Sequence, residues 1–262
     1  MNEFLCKVSL LAYLFCSCIG SLNAAELHAI LVGDVFSADI QQACHIDLKN
    51  MQTEMQKIAK NGHYKLQLKV LAGKNSSSRE VLRVVKNLKP EKNDAIIFYF
   101  SGHGYRTENN GESPWPNFEF PLERVGLGMK DVIDIIGNKG ATLAIIIADC
   151  CNIKIPQAYA PDLVMSKAIA RIPVRKIKTN YQNLFCKTQG VIAIVSARNG
   201  QPSYCNSFGS FYTRSFLASL KSAVESRKAE WAAVFDQADD KLQTVLNVHQ
   251  VHQDPIVFTN IK

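Results

Sequence analysis

The sequence is poor in residues that interrupt or unsettle a fold. Among 262 residues there are 14 glycines and 9 prolines, with no repeat and no low-complexity tract, which excludes the collagen-like and disordered classes. Beyond the N-terminus, no apolar run approaches the roughly 20 residues that a bilayer-spanning helix needs. Helix-turn-helix, zinc-finger and aromatic-basic signatures are all missing, so the net charge of +7 has no nucleic-acid-reading motif beside it. That charge suits solubility as easily as an acidic partner. Metal chemistry is equally thin, because His249 and His252 have plausible local spacing but no third ligand. What is present is 47% hydrophobic sequence, enough to bury a substantial core in one large α/β domain or two small ones.

At the N-terminus Lys7 precedes an apolar run over residues 8–19, and small residues follow over 20–25. This is the layout of a signal peptide, with cleavage expected near Ala24 or Ala25. The expected division is therefore a signal peptide over 1–25 and a mature, exported chain over 26–262, placed in a periplasm or outside the cell. Cleavage removes Cys6, Cys16 and Cys18. The remaining Cys44, Cys150, Cys151, Cys186 and Cys205 are odd in number and lack paired spacing, so at least one thiol stays free. A bridge between Cys186 and Cys205 is the one pairing left open.

In the mature chain, short apolar runs alternate with longer amphipathic ones, the pattern of βα units around a mainly parallel sheet. Strands are expected at 27–32, 64–71, 95–100, 142–148, 191–196 and 255–258. Helices are expected at 40–59, 78–88, 127–136, 212–225 and 231–248. Two segments fit neither period. Residues 105–124 read as a surface excursion. Residues 153–188 are too long for an ordinary connection and carry Lys167, Arg171, Arg175, Lys176 and Lys178.

Functional groups of open α/β sheets gather beyond the C-terminal strand ends. Here one apolar strand runs into Ser101-Gly102-His103-Gly104, and the next into Asp149-Cys150-Cys151-Asn152. A thiol and an imidazole delivered from neighbouring strands suit nucleophilic catalysis. Taken singly, each has a blander account: a histidine capping a turn, or cysteines packed in a core. Their joint placement at two strand ends favours chemistry.

These residues resemble the caspase-like cysteine peptidases, and within them the metacaspase and orthocaspase branch. The roughly 50-residue spacing from His to Cys is itself a known caspase trait. Phe100-Ser101-Gly102-His103-Gly104 is similar to the family's His motif. Asp149-Cys150-Cys151 is similar to its Asp-x-Cys motif, which selects Cys151 as nucleophile over Cys150. Weaker likenesses are Cys44-His45-Ile46-Asp47, the stretch from Ser196 to Ser203, Gly209 to Thr213, and Gln253-Asp254-Pro255. Asn152-Ile153-Lys154 departs from the His-Ser-Gly that often follows the nucleophile.

The resemblance implies a three-layer α/β/α sandwich with a mainly parallel six-stranded sheet. It divides the domain into a large-subunit-like part (26–152), a basic linker (153–188) and a small-subunit-like part (189–262). It implies a monomeric cysteine endopeptidase in which Cys151 attacks, His103 moves protons, and the backbone N–H groups of Gly104 and Cys151 hold the oxyanion. Asp47 and Asp149, with Cys44 and Ser101 beside them, match the positions that bind a basic residue before the scissile bond. The expected substrates are therefore proteins or peptides cut after Arg or Lys, and the basic linker is a candidate for self-cleavage. No cofactor is expected, and calcium activation is left open. The alternatives are a catalytically silent binding module and a peptidase cutting after Asp, the latter through Arg198.

Overall fold

The computed structural model describes residues 24–123, 126–153 and 174–262. Most of the expected signal peptide, together with Lys167 and Arg171 of the basic linker, lies outside the described residues.

The strands form where the apolar runs lie. They are β1 (Glu26–Gly33), β2 (Lys65–Ala72), β3 (Ala95–Ser101), β7 (Leu143–Asp149), β8 (Gly190–Val195) and β11 (Ile256–Ile261). Their spatial order is β11-β8-β7-β3-β1-β2. All neighbours are parallel except β11, which runs antiparallel along β8. The central strands β3 and β7 are buried at every position, as expected for a sheet covered on both faces.

Side-chain alternation sorts those strands into two cores. Ala95, Ile97 and Tyr99 of β3, with Leu143, Ile145 and Ile147 of β7, join the larger core. There they meet α1 (Gln41–Gly62), α4 (Val174–Gln182), α5 (Phe211–Val224) and α6 (Trp231–His249). Ile96, Phe98, Phe100, Ala144, Ile146 and Ala148 join the other, against α2 (Ser78–Asn87) and α3 (Met129–Gly137). The result is the three-layer sandwich with a mainly parallel six-stranded sheet.

Two segments differ from the sequence expectation. Residues 105–124 are more than a surface excursion: part of the segment folds with residues on either side of it into a small antiparallel sheet of β4 (Gly104–Tyr105), β5 (Asn117–Phe118) and β6 (Leu127–Gly128). Its aromatics drive this, since Phe118 stacks on Phe100 at 4.2 Å between centroids. Trp115 and Phe120 are buried in the same core.

The end of the 153–188 segment is likewise structured. It forms α4 and a π-helical turn over Asn183–Lys187, which seals the sheet with Tyr181, Leu184 and Phe185. Arg175, Lys176 and Lys178 lie on that helix. Loop-like composition hid a helix whose apolar side is carried by only a few large residues.

Candidate active site

Register brings the two motifs together. In the parallel pairing of β3 with β7, Ser101 stands opposite Asp149, and Gly102 N–H still donates to the Asp149 carbonyl at 3.3 Å. His103 and Cys151 each lie two residues beyond those ends. Alternation separates the two thiols. Cys150 continues the row of Ile146 and Ala148 into the core, whereas Cys151 is only partly buried.

Gly104 fixes the approach of the two chains. A Cβ there would sit 2.4 Å from the Cys151 carbonyl oxygen and 2.6 Å from the Cys150 sulfur, so only glycine fits. In the ladder, Gly104 faces Phe118, and Glu119 N–H donates to the His103 carbonyl at 3.0 Å. That makes Gly104–Phe118 the wide, non-hydrogen-bonded kind of pair. The N–H of Gly104 therefore points away from β5.

The reactive side chains rest on separate partners. The Ser203 N–H donates to Cys151 Sγ at 3.4 Å, and the thiol lies 3.7 Å from the Ser203 carbonyl. Burial pushes the Cys151 thiol above its ordinary pKa, and the Asp149 and Asp39 charges push the same way against the lowering by the Ser203 N–H. At neutral pH it rests as the thiol. His103 is 31% exposed and places Nε2 3.3 Å from Asp39 Oδ1.

Beneath them lie two buried carboxylates. Asp47, from α1, accepts from Ser101 Oγ at 3.0 Å and from the Ser210 N–H and hydroxyl, the latter at 2.5 Å. Asp149 accepts from Ser203 Oγ at 2.7 Å and from the Thr213 N–H and hydroxyl at 2.9 and 2.7 Å. Burial and the charge of Asp149 raise Asp47 to about 7, and burial raises Asp149. Both form the closed floor of the site, 0% and 3% exposed. Cys44 is buried beside them, its thiol raised by burial and by the charge of Asp47. Ser101 joins Asp47 to β3.

Three residues were missed by sequence reasoning. Cys205 opens the hairpin of β9 (Cys205–Asn206) and β10 (Gly209–Ser210); burial and then the charges of Asp149, Asp47, Cys151 and Asp39 raise its thiol to about 12. Arg214, half-buried next to Thr213, hydrogen-bonds Asn206 at 3.3 Å and feels the charge of Asp47. Asp39 precedes α1. None belongs to a local motif, and only the fold gathers them. Conversely, Arg198 is taken by Asp254 at 3.2 Å.

Cys186 and Cys205 are both free. Cys186 reaches the Gly62 carbonyl at the far end of α1, while Cys205 lies at the end that carries Cys44 and Asp47. The 22-residue helix, about 30 Å long, separates them. His249 stacks on Phe211 and His252 pairs with Asp254. Among the described residues no group of three or more His, Cys, Asp or Glu is arranged to hold a metal ion.

A three-layer α/β sandwich presenting a thiol and an imidazole from adjacent strand ends defines a caspase-like protein. The chain belongs to the Caspase domain family, whose sequence model spans residues 27–261. Among solved structures it is similar to caspase-1 from Spodoptera frugiperda, with a TM-score of 0.57 and 14% identity, covering 91% of this chain and 90% of that one. It is also similar to a protein from Geobacter sulfurreducens, with a TM-score of 0.55 and 14% identity, covering 89% of this chain and 92% of that one. No curated protein matches by sequence.

Proposed function

We propose that the protein is a cysteine endopeptidase of the metacaspase-like branch, exported, cutting after Arg or Lys through a Cys151–His103 dyad. The observation that carries the reading is the register that sets Ser101 opposite Asp149, so that His103 and Cys151 follow two residues beyond adjacent strand ends, with Cys151 partly buried where Cys150 is fully buried.

The resting thiol requires a base. His103 takes the Cys151 proton as Sγ bonds to the peptide carbonyl carbon, then delivers it to the leaving amine. Water, deprotonated by the same imidazole, releases the acyl group from sulfur. The oxyanion is held by the N–H groups of Gly104 and Cys151; the ladder supports the first by turning it away from β5.

The preference for a basic residue rests on charge. The negative field comes from Asp47 and Asp149 beneath the site; of the nearby cations, Arg214 is half-buried and turned to Asn206, and Arg106 is buried and held by Asn152 and by the Gly111 and Ser113 carbonyls. A cationic side chain is the complement of that field. Substrate entry requires the floor to open, because Ser203, Ser210 and Thr213 now cover the two buried carboxylates. That closure favours one further reading, a silent binding module whose carboxylates only hold its own chain together.

Fluorogenic peptides ending in Arg, Lys, Asp or Asn, assayed with and without calcium, separate the two. Turnover after Arg or Lys that is lost in Cys151→Ala and in His103→Ala is expected. Turnover after Asp would overturn the pocket assignment, and turnover that persists in Cys151→Ala would overturn the nucleophile. Intact-mass analysis of wild type and Cys151→Ala tests self-cleavage near Lys167 or Arg171, for which fragments from the wild type alone are expected.

A further inference from the structure

We propose that Asp39 is a positioning residue for His103, a third member of the reactive group that acts through the imidazole. The proposal rests on the Cys151–His103 reading. Its geometric basis is the 3.3 Å approach of Asp39 Oδ1 to His103 Nε2. A carboxylate only accepts, so Nε2 carries the hydrogen in that contact and Nδ1 is left with the lone pair that takes a proton. Asp39 thus selects the tautomer and orients the ring, and it faces the positive charge that forms when the thiol proton arrives.

The loop bearing Asp39 is held in place. Asp34 is buried, and its N–H donates to the Ser101 carbonyl at 2.9 Å, tying the end of β1 to the end of β3. Its carboxylate accepts from the N–H groups of Phe36 and Ser37, each at 3.0 Å, and from Ser37 Oγ at 2.6 Å. The Ser37 carbonyl then accepts from the N–H groups of Ile40 and Gln41 at 3.1 and 2.8 Å, the turn that starts α1. A Cβ on Gly102 would lie 3.0 Å from Asp34 Cβ. The chain preceding Asp39 and the chain preceding His103 are therefore packed against each other. Asp39 also lies close enough to Cys151 to disfavour its thiolate, so carboxylate, imidazole and sulfur share one site. With Asp39 57% and His103 31% exposed, the contact adds little to folding; its consequence falls on the reaction.

The two effects of Asp39 on the thiol have opposite signs. Through His103 it assists proton removal, whereas directly its charge opposes thiolate formation. A double-mutant cycle read by iodoacetamide alkylation of Cys151 at neutral pH, followed on the Cys151 peptide by mass spectrometry, separates them without any peptide turnover. Asp39→Ala is expected to slow alkylation where His103 is present, and to leave it unchanged or faster in the His103→Ala background. Equal slowing in both backgrounds, or no slowing beside His103, would overturn the proposal. On an Arg peptide, Asp39→Ala is expected to lower kcat about tenfold with KM and Tm unchanged, and Asp39→Glu to recover most of it. The loss is well short of the roughly 10⁴-fold known for a buried acid–His pair, because this pair is partly solvated. A protein inactive on every peptide fails the peptidase reading, while the alkylation cycle still decides the role of Asp39.

Discussion

Gly104 is squeezed between the His103 strand and the Cys151 carbonyl, and its constraint is one of space. With a Cβ 2.4 Å from a backbone oxygen, Gly104→Ala forces β4 and the nucleophile apart, and overpacking of this kind costs about 1–3 kcal/mol. A lower Tm with retained circular dichroism and near-complete loss of Cys151-dependent turnover is expected; full activity in Gly104→Ala would remove this account of the site. The Cys151 thiol makes a second prediction at this scale. Because burial holds it above the ordinary thiol range, its alkylation rate in the His103→Ala variant should climb about tenfold per pH unit from pH 6 to 8, as the thiolate fraction grows. A plateau within that interval would mean a thiol already ionised. His103 and Cys151 were legible from sequence because each lies within a few residues of a buried strand. Asp39, Cys205 and Arg214 were not, because only the turn after β1, the short hairpin and α5 together bring them to the site.

The elements were legible in proportion to the strength of their periodicity. All six long strands fall within a residue or three of their expected ends, since runs such as residues 95–100 have no stable place except a doubly covered sheet. The β4–β6 sheet and the β9–β10 hairpin have strands of two residues, too short for any period. Helix α4 was hidden by its basic composition, yet it and the π-helical turn that follows it are firmly docked. Asn180 donates to the Val224 and Ser226 carbonyls at 3.0 and 2.9 Å, Tyr64 donates to the Phe185 carbonyl at 2.7 Å, and Trp231 donates to the Leu184 carbonyl at 3.0 Å. Phe185 packs edge-on against Trp231 at 5.3 Å. Phe185→Ala is therefore expected to cost about 3–5 kcal/mol, measured by urea denaturation, where a freely cleaved linker would give no change. It also follows that Arg175, Lys176 and Lys178, lying on α4, are poor sites for self-cleavage, because a peptidase takes its substrate extended.

Asp47 and Asp149 tie the molecule together across its length. Both come from the part before residue 153, and their hydrogen bonds run to Ser203, Ser210 and Thr213 in the part after residue 188. Asp47 binds its proton more tightly in the folded chain, at about 7, than at its ordinary 3.8. A group raised on folding contributes its stability below the unfolded value and loses it as pH climbs through the folded one. The Asp47 contribution is thus complete below about pH 4 and gone above about pH 7, a change on the order of a few kcal/mol. Asp47→Asn keeps an acceptor for Ser210 and never ionises. Its Tm relative to wild type should therefore rise from pH 5 and level off above about pH 7, and parallel curves would show that Asp47 does not titrate there. The same ionisation deepens the negative floor, so KM for an Arg peptide should fall over this interval in the wild type and stay flat in Asp47→Asn. One proton thus couples fold and proposed function with opposite signs: the pH range that best captures a basic side chain is the range in which the two parts of the chain are held together least.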